Sequence, residues 1–490
     1  MKTIQKLFPL LLLFAGVFLF TACGGGSKTG NTDGTDSTDQ ANVKEEEWTI
    51  PMISESELRK AKEYKSLEEA LAEPDKVYKL NLAEKKLTAL PEDLFKLKHL
   101  QRLRLAFNRD LTSLDPRIGS LKNLQYISLH SCGLTTLPKE IGKLPNLETL
   151  IVESNKISSV PAEIGNLPKI KELKLSYNEL TALPEEIYNL STLENLYLHR
   201  NKIGAISDKI GQLTSLKSLT LGNNQITEVP ATIGKLSNLR YVTLTENQIT
   251  ALPEELGDLA SLVQLYVGKN TGLTKLPEST TKLEKLYDIN LSGCSSLDLE
   301  DTFNKLDSLP KLNSLRLADL GKPVVLPENV GNLNNVKDLY LDKNTFEGGE
   351  LSKLMDKLSK MEVLRTVSLT DCKIANLPAN ISKLKNLEYL YTYRNDMKTL
   401  PATIGQLSKL KYLSVSSNKE FTTLPGTIGS LRKLETLDVS YTKIAALPPA
   451  LNAMKQLKTV YLQRTNVPKA VADQLKKSLP DAKVDHSNKQ

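Results

Sequence analysis

The chain has 490 residues, of which 40% are hydrophobic and 25% charged, as is usual for a globular protein. Its formal net charge is only +7, and its lysines and arginines form no block that could follow a phosphate backbone. We therefore expect no nucleic-acid partner.

The chain begins with the pattern of an export signal. Two lysines precede an apolar run over residues 7–20, the order found in secretory signal peptides. The sequence LFTACG at residues 19–24 resembles the lipobox of bacterial lipoproteins, except that Phe20 replaces the usual Leu. This resemblance implies a signal peptide over residues 1–22 and a lipid, such as palmitate, on Cys23. The alternatives are an ordinary signal peptide with an incidental cysteine and an uncleaved anchor helix, for which the run is short.

The next two segments lead into the folded part of the chain. Residues 23–43 are rich in Gly, Ser, Thr and Asp and lack apolar periodicity, which predicts a flexible linker. Residues 44–76 are the predicted N-terminal cap. Within this cap the segment SESELRKAKEYKSLEEALAE, residues 54–73, predicts a helix that ends at Pro74.

From Val77 onward the sequence repeats the pattern L-x-x-L-x-L-x-x-N-x-L, with Ile or Val in place of some leucines. The alternation of apolar and polar residues in L-x-L predicts a short strand with one buried face. One such strand per repeat gives a parallel sheet, whose buried face needs a covering layer. Segments of the form LPxxIGxL, as at residues 137–144 and 400–407, supply that layer. Seventeen repeats can be placed, with first positions at residues 77, 100, 124, 147, 170, 193, 216, 239, 262, 286, 312, 336, 364, 387, 410, 434 and 457.

This pattern resembles the leucine-rich-repeat family, and the LPxxIGxL segments resemble its Ras-group subclass. The resemblance covers residues 77–467. It implies an α/β solenoid, or horseshoe, with a concave parallel sheet, an irregular or 3₁₀ convex side and a helical cap at each end. The C-terminal cap and tail occupy residues 468–490, where residues 470–479 predict a helix and residues 480–484 a short returning strand.

Position 9 of the repeat holds Asn in ten repeats and Cys132, Cys294 and Cys372 in three others. A buried Asn at this turn can bond to the backbone of neighbouring repeats, which predicts a ladder of asparagines. The cysteines lie three to seven repeats apart, or roughly 14–34 Å at the spacing of strands, so we expect no disulfide.

Two repeats depart clearly from the period of 23 or 24 residues, at residues 286–310 and 336–363, and reach the next first position after 26 and 28 residues. In the second, the spacing of leucines over residues 351–358 predicts a helix on the outer wall. We interpret both as tolerated loop growth rather than as a partner site.

The sequence offers no arrangement typical of an enzyme. His130 and His199 share a motif position but lie three repeats apart, about 14 Å, which is too far for shared metal ligation. The glycines at residues 24–26 lack the flanking strand and helix of a phosphate loop. We therefore expect no catalytic activity, no metal and no cofactor.

The third, fifth, seventh and eighth positions of each repeat are predicted to point into the concavity. Tyrosine favours strands in general, but Val, Ile and Phe do so too and are nearly absent from these positions. The preference for an aromatic ring with a polar tip indicates a binding face. These positions hold 12 of the 16 tyrosines: Tyr126, Tyr177, Tyr197, Tyr241, Tyr266, Tyr340, Tyr389, Tyr391, Tyr393, Tyr412, Tyr441 and Tyr461.

Two groups stand out on this predicted face. Tyr389, Tyr391, Tyr393 and Tyr412, with Arg394 beside them, form a candidate hot spot for protein or a stacking platform for sugar rings. Four basic residues nearer the N-terminus form a patch that could meet an anion, although a solvated strand face is the simpler account; they are Lys79, Arg102, Arg104 and Lys174.

The sequence therefore predicts a lipid-anchored protein of the cell envelope that binds a protein partner through its concave tyrosines. Gly24 lacks the Asp that can retain similar lipoproteins at the inner membrane, so the outer membrane is favoured. The protein could face the periplasm or the outside. The alternatives are a glycan-binding surface protein and a structural scaffold without a dedicated ligand. The candidate binding residues are Tyr126, Tyr197, Tyr241, Tyr266, Tyr340, Tyr389, Tyr391, Tyr393, Arg394, Tyr412 and Tyr461.

Overall fold

The structure is a computed structural model, and it describes residues 50–321 and 323–487. In that part of the chain 19 short strands form one sheet, and each strand pairs in parallel with the next strand of the chain. The strands, β1 to β19 in order, are Glu63–Tyr64, Lys79–Asn81, Arg102–Arg104, Tyr126–Ser128, Thr149–Ile151, Glu172–Lys174, Asn195–Tyr197, Ser218–Thr220, Tyr241–Thr243, Gln264–Tyr266, Asp288–Asn290, Ser314–Arg316, Asp338–Tyr340, Thr366–Ser368, Tyr389–Tyr391, Tyr412–Ser414, Thr436–Asp438, Thr459–Tyr461 and Lys483–Asp485.

Strands β2 to β18 are the seventeen strands that the repeat predicts, and each begins two residues after a predicted first position. The middle residue of each strand is Leu, Ile or Val and is fully buried, as are Leu103, Ile127 and Val242. The residues before and after it lie on the opposite face, because side chains alternate along a strand. The solenoid fold is therefore confirmed.

Short 3₁₀ helices follow most strands and cover the buried face. A proline before many of these helices gives the extended backbone that starts them, and their Ile, Val or Leu packs against the sheet. They are Pro74–Lys76, Glu92–Lys96, Pro116–Ser120, Lys139–Lys143, Ala162–Asn166, Glu185–Asn189, Asp208–Gln212, Ala231–Lys235, Glu254–Asp258, Glu278–Lys282, Glu328–Asn332, Ala379–Lys383, Ala402–Gln406, Gly426–Ser430 and Pro449–Ala453.

The glycine of the LPxxIGxL segment is explained by a close approach between neighbouring 3₁₀ helices. A Cβ atom added at Gly142 would lie 2.1 Å from the carbonyl oxygen of Glu163 in the next repeat. Because no side chain fits at that distance, only glycine lets the covering layer pack as tightly as the strands beneath it.

Five α-helices occur in the described part of the chain. They are α1, Glu55–Lys60; α2, Leu67–Leu71; α3, Leu299–Asp307; α4, Glu350–Leu358; and α5, Lys469–Ser478. The predicted helices in the second long repeat and at the C-terminus are present as α4 and α5, and the predicted returning strand is β19. The sequence analysis did not predict α3, which lies in the first long repeat.

The prediction of one cap helix over residues 54–73 is wrong. Helix α1 ends at Lys60 and is followed by strand β1, which pairs with β2 and places Tyr64 in the core. A single helix would have left the backbone groups of the edge strand β2 without partners, and β1 supplies them.

The asparagine ladder at position 9 is confirmed. The amide of Asn247, for example, donates to the carbonyl oxygens of Leu221 and Leu244 at 3.0 and 2.9 Å, and its oxygen accepts from Ile226 N at 3.0 Å. The same bonds recur along the sheet at Asn108, Asn178, Asn201, Asn224, Asn270, Asn344, Asn395 and Asn418.

The three cysteines of the ladder are buried free thiols. The thiol of Cys132 donates to the carbonyl oxygen of Leu105 at 3.2 Å, in place of the Asn amide. Burial raises the pKa of Cys294 to about 11 and that of Cys372 to about 12. The expectation that they form no disulfide is therefore confirmed.

A second polar ladder, just before the first position of the repeat, was not predicted. Asn123, Asn146 and Asn238 there donate to the carbonyl oxygens of Lys98, Lys122 and Thr214 in the preceding repeats. These bonds link neighbouring repeats at the entry to the strands concerned, as position 9 does at the exit.

Candidate binding site on the open face of the sheet

The candidate site lies on the face of the sheet opposite the 3₁₀ layer, here called the open face; it corresponds to the predicted concave face. It is formed by positions 3 and 5 of each repeat, the first and last residues of each strand. The candidate tyrosines at these positions are half-buried, apart from Tyr241, which is exposed. The candidate tyrosines on the open face are Tyr126, Tyr197, Tyr241, Tyr266, Tyr340, Tyr389, Tyr391, Tyr412 and Tyr461.

Positions 7 and 8 lie beyond the strand, in the turn that leaves it. Position 8 has a positive φ in all seventeen repeats, for example 56° at Arg394 and 57° at Asn223. Position 8 therefore belongs to the turn that leaves the strand, where the chain bends sharply, and not to the strand itself. Tyr177 and Tyr441, at position 8, and Tyr393, at position 7, are exposed beside the sheet rather than on it.

One group of tyrosines lies on or beside the neighbouring strands β13, β15 and β16 and is here called the tyrosine cluster: Tyr340, Tyr389, Tyr391, Tyr393 and Tyr412. Tyr389 and Tyr412 are register partners on β15 and β16, and the rings of Tyr391 and Tyr412 lie 4.8 Å apart between centroids. Burial raises the pKa of Tyr391, and the neighbouring Tyr340 and Tyr389 raise it further. Burial raises the pKa of Tyr412 to about 12. The cluster is thus a packed, partly dehydrated surface.

Charged residues beside the cluster were missed by the sequence analysis. The guanidinium of Arg316 lies 4.5 Å from the ring centroid of Tyr340 and 3.6 Å from a carboxylate oxygen of Asp288. The other oxygen of Asp288 accepts a hydrogen bond from the hydroxyl of Tyr266 at 2.5 Å. Asp338 precedes Tyr340 by two residues on the same strand. Arg316, Asp288 and Asp338 all occupy positions 3 or 5 of their repeats. A count of charged residues at these positions, alongside the tyrosines, would have found them.

Repeat 13, between Tyr340 and Tyr391, has only short hydroxyl side chains on this face. Thr366, Ser368 and Thr370 are all buried, at 6%, 4% and 6% exposure. The hydroxyl of Ser368 donates to Asp342 Oδ1, which also accepts from the backbone N of Thr370 at 2.8 Å. This strand therefore forms a low floor between two taller rows of tyrosine.

The remaining candidate tyrosines are dispersed along the sheet, and most have a basic neighbour. A basic group lies over the ring of Tyr126 at 5.9 Å, of Tyr197 at 5.2 Å, of Tyr241 at 5.6 Å and of Tyr461 at 6.0 Å; the residues that supply it are Arg104, Lys174, Arg240 and Lys483. Such cation–π contacts recur on this face as an intramolecular interaction.

The predicted basic patch is occupied from within the chain. Arg102 donates to both carboxylate oxygens of Glu55 at 2.7 Å, and Arg104 forms an ion pair with Glu63 at 3.2 Å. Lys174 is paired with Glu172 at 3.2 Å. The first two pairs fasten α1 and β1 to the sheet, so the patch is part of the N-terminal cap rather than an anion site.

The histidines of interest also have structural neighbours. His130 lies edge-on to Phe107 and His199 edge-on to Tyr177, with centroids 5.3 and 4.8 Å apart. Burial lowers the pKa of His199. Among the residues that the structure describes, no group of three or more His, Cys, Asp or Glu side chains could hold a metal ion.

Residues 1–43, which hold the predicted signal peptide, Cys23 and the predicted linker, lie outside the described residues. Over residues 50–321 and 323–487, no helix has the length and apolar character that a membrane span requires.

Comparison with known proteins gives consistent matches. A family profile described as a leucine-rich repeat region matches residues 106–228, 229–370 and 350–422. The disease resistance protein RPS4B of Arabidopsis thaliana is 32% identical over 111 residues, which are 22% of this chain. This chain spans only 8% of that relative's length.

Solved structures are similar over most of the chain. A leucine-rich-repeat protein of Leptospira interrogans is 30% identical with a TM-score of 0.51, and the match covers 86% of this chain and 99% of that one. TLR13, solved in a complex with ssRNA13, is 22% identical with a TM-score of 0.67, over 86% of this chain and 61% of that one. The similarity to TLR13 shows a shared fold and nothing more.

Proposed function

The chain belongs to the leucine-rich-repeat family, and from that premise we propose that it binds a protein partner through the open face of its sheet. The tyrosine cluster is the centre of the proposed contact. The proposal assigns the chain a binding role and no reaction of its own.

The observation that carries the proposal is the concentration of tyrosines on neighbouring strands, with the rings of Tyr391 and Tyr412 in contact. Tyr340, Tyr389, Tyr391 and Tyr412 lie on strands β13 to β16, so they span three strand spacings, or about 14 Å. A patch of aromatic rings with polar tips is the type of surface that supplies most of the free energy of binding in protein interfaces. The half-buried rings already have restricted rotamers, so less side-chain entropy is lost when a partner binds.

The alternatives predict different behaviour of the same surface. Sugar rings also stack on tyrosine, so a glycan would use the cluster but would be retained in a form that resists protease treatment. A scaffold without a dedicated ligand would use the length of the solenoid, and the identity of residues on the open face would have little effect.

We also propose that the protein is held in the cell envelope by a lipid on Cys23, with the outer membrane favoured. The support is the lipobox-like sequence at residues 19–24 and the linker composition of residues 23–43. A flexible linker of that length would leave the open face accessible to a partner at some distance from the membrane.

A direct test uses the full chain and a variant in which the cluster is replaced by residues that the repeat already tolerates. Positions 3 and 5 hold Thr or Ser in many repeats, so Tyr389→Thr, Tyr391→Ser and Tyr412→Thr should preserve the fold. A matched control changes three dispersed tyrosines at the same motif positions: Tyr126→Thr, Tyr197→Ser and Tyr241→Thr. Each immobilised protein is exposed to envelope extract of the organism, with and without protease treatment of the extract.

We expect one protein to be retained by the wild type and the control and lost from the cluster variant, with equal melting temperatures. Retention of protease-resistant material instead would favour the glycan. If all three proteins retain the same material, the cluster is not the site and the scaffold is the better account.

A further inference from the structure

The open face carries an interrupted stack of flat side chains centred on repeat 13. On the N-terminal side the guanidinium of Arg316, from β12, covers one face of the Tyr340 ring at 4.5 Å. On the C-terminal side Tyr412, from β16, packs against Tyr391 at 4.8 Å. Tyr340 therefore has a partner on its N-terminal side and Tyr391 has one on its C-terminal side; these two are the inner tyrosines of the stack. The strand between them, β14, carries Ser368.

The interval between the inner rings fits one flat group. Tyr340, Ser368 and Tyr391 are register partners on three consecutive strands, so the tyrosines are two strand spacings apart, or about 10 Å. A planar group midway between them would lie about 5 Å from each ring, within the roughly 6 Å range of a cation–π contact. We call this interval the repeat-13 slot, with Tyr340 and Tyr391 as walls and Ser368 as floor.

The slot also carries uncompensated negative charge. Asp338 lies beside Tyr340 at the preceding open-face position, and Asp342 follows at the strand exit. Neither carboxylate belongs to an ion pair within residues 50–321 and 323–487, although Asp338 Oδ2 accepts from Asn313 and Asp342 Oδ1 from Ser368. Both would attract a cation that enters between the rings.

The protein already binds one guanidinium of its own against the outer, N-terminal face of the Tyr340 ring. Arg316 stacks on Tyr340 and pairs with Asp288, so one guanidinium is held there by an aromatic face and a carboxylate together. The inner face of the same ring has Asp342 beside it, bonded to Ser368 of the slot floor, and the second ring of Tyr391 lies beyond.

We infer that the repeat-13 slot receives the guanidinium of an arginine side chain presented by the protein partner. The inference rests on the proposed function, since it names the residue type that the open face would recognise. Arginine suits the slot better than lysine, because its planar guanidinium stacks between two rings while its edge donates to a carboxylate. A neutral aromatic side chain would also stack there but would gain nothing from Asp338 and Asp342.

The test measures binding of small probes to the full chain by ligand-observed NMR. The probes are N-acetyl-arginine methylamide and the corresponding lysine and citrulline amides; citrulline has the planar shape of arginine without its charge. Two variants accompany the wild type. Ser368→Tyr fills the slot with a residue that position 5 accepts in five other repeats, and Ser128→Tyr makes the same change on β4, away from the slot.

We expect the arginine probe to bind the wild type and Ser128→Tyr alike, and the citrulline probe to bind roughly tenfold more weakly or not at all. Ser368→Tyr should abolish the signal. Asp338→Asn, which keeps the shape of the side chain, should weaken arginine binding several-fold while leaving citrulline unchanged.

Several results would overturn the inference: no arginine binding by the wild type, equal binding of citrulline, or undiminished binding by Ser368→Tyr. These failures are separate from failure of the proposed function. If the cluster variant loses its protein partner while the wild type shows no preference for arginine, the binding face stands and the slot does not. If arginine binds the slot but the cluster variant keeps its partner, the slot stands and the tyrosine cluster is not the site that binds the partner.

Discussion

The residue that turns the chain out of each strand determines how the repeats are joined. Position 9 satisfies three backbone groups at once, two carbonyl oxygens and one N–H, and it does so across two repeats. Position 8 before it adopts a left-handed backbone in every repeat, at a modest cost in the sixteen repeats where the residue is not glycine. The Asn amide offsets that cost by pairing backbone groups that the turn would otherwise bury without partners.

The first prediction concerns Asn247, which is 8% exposed and lies in the regular part of the solenoid. Asn247→Ala should lower the free energy of unfolding by about 1–3 kcal/mol, because Ile226 N and the carbonyl oxygens of Leu221 and Leu244 lose a partner. Asn238→Ala removes one bond of the second ladder, at an exposed position, and should cost less than about 0.5 kcal/mol. Urea denaturation of the full chain measures both changes in the free energy of unfolding. Equal losses would contradict the prediction, because position 9 would then contribute no more to stability than the second ladder does.

Among the elements, the strands and the covering layer were predictable and the exceptions have identifiable causes. Each strand has its own alternation of an apolar residue with its neighbours, and most outer turns have a proline, a glycine or both, so local pattern and tertiary structure agree. Helix α3 was missed because Leu299, Phe303 and Leu306 follow a helical spacing within a segment that also carries the leucines of the repeat.

The site was predictable only in part, for a related reason. The tyrosines could be assigned to the open face from motif position alone. The partners of Arg102 and Arg104 could not, because Glu55 and Glu63 lie outside the repeats and are brought to the sheet by α1 and β1. The repeat-13 slot depends on the order of large and small residues across three strands, which a search for a single residue type does not reveal.

The second prediction concerns the way α3 replaces a 3₁₀ helix. Lys305 is buried, and its ammonium group donates to the carbonyl oxygen of Leu276 at 2.8 Å and pairs with Asp301 at 2.7 Å and Glu278 at 2.9 Å. Lys357 in α4 makes the equivalent contacts: it donates to the carbonyl oxygen of Leu326 and forms an ion pair with Glu328. A helix that displaces the regular turn thus uses a lysine to satisfy the carbonyl oxygen before the proline of the preceding repeat.

Lys305→Met should therefore destabilise the full chain by about 1–3 kcal/mol, because the buried carbonyl oxygen of Leu276 loses its donor. Lys353→Met, which removes an exposed ion pair with Glu350 on α4, should change the free energy of unfolding by less than about 0.5 kcal/mol. Thermal and urea denaturation report both changes. A Lys305→Met protein as stable as the wild type would mean that apolar packing alone anchors α3.

At the scale of the whole molecule, each repeat contacts its neighbours, so stability accumulates along the solenoid and the ends need separate protection. Strand β1 covers the first repeat, and β19 with α5 covers the last. The proposed binding surface lies on β13 to β16, well away from the N-terminal cap. A tether at the N-terminus would therefore hold the molecule by the end remote from that surface.

The third prediction tests that tether. If Cys23 is lipidated, the full chain expressed with its leader should incorporate a palmitate analogue and enter the detergent phase on phase separation, because acyl chains contribute about 0.8 kcal/mol per buried methylene. Cys23→Ser should lose both properties. Cys132→Asn, which places the commoner ladder residue at position 9, should keep them and so serves as the cysteine control.

A wild-type chain that is exported without label would support an ordinary signal peptide, whereas label retained by Cys23→Ser would place the lipid elsewhere. Since Phe20 is the one departure from the lipobox, Phe20→Leu should leave the labelling unchanged or increase it, which links the result to the leader sequence itself.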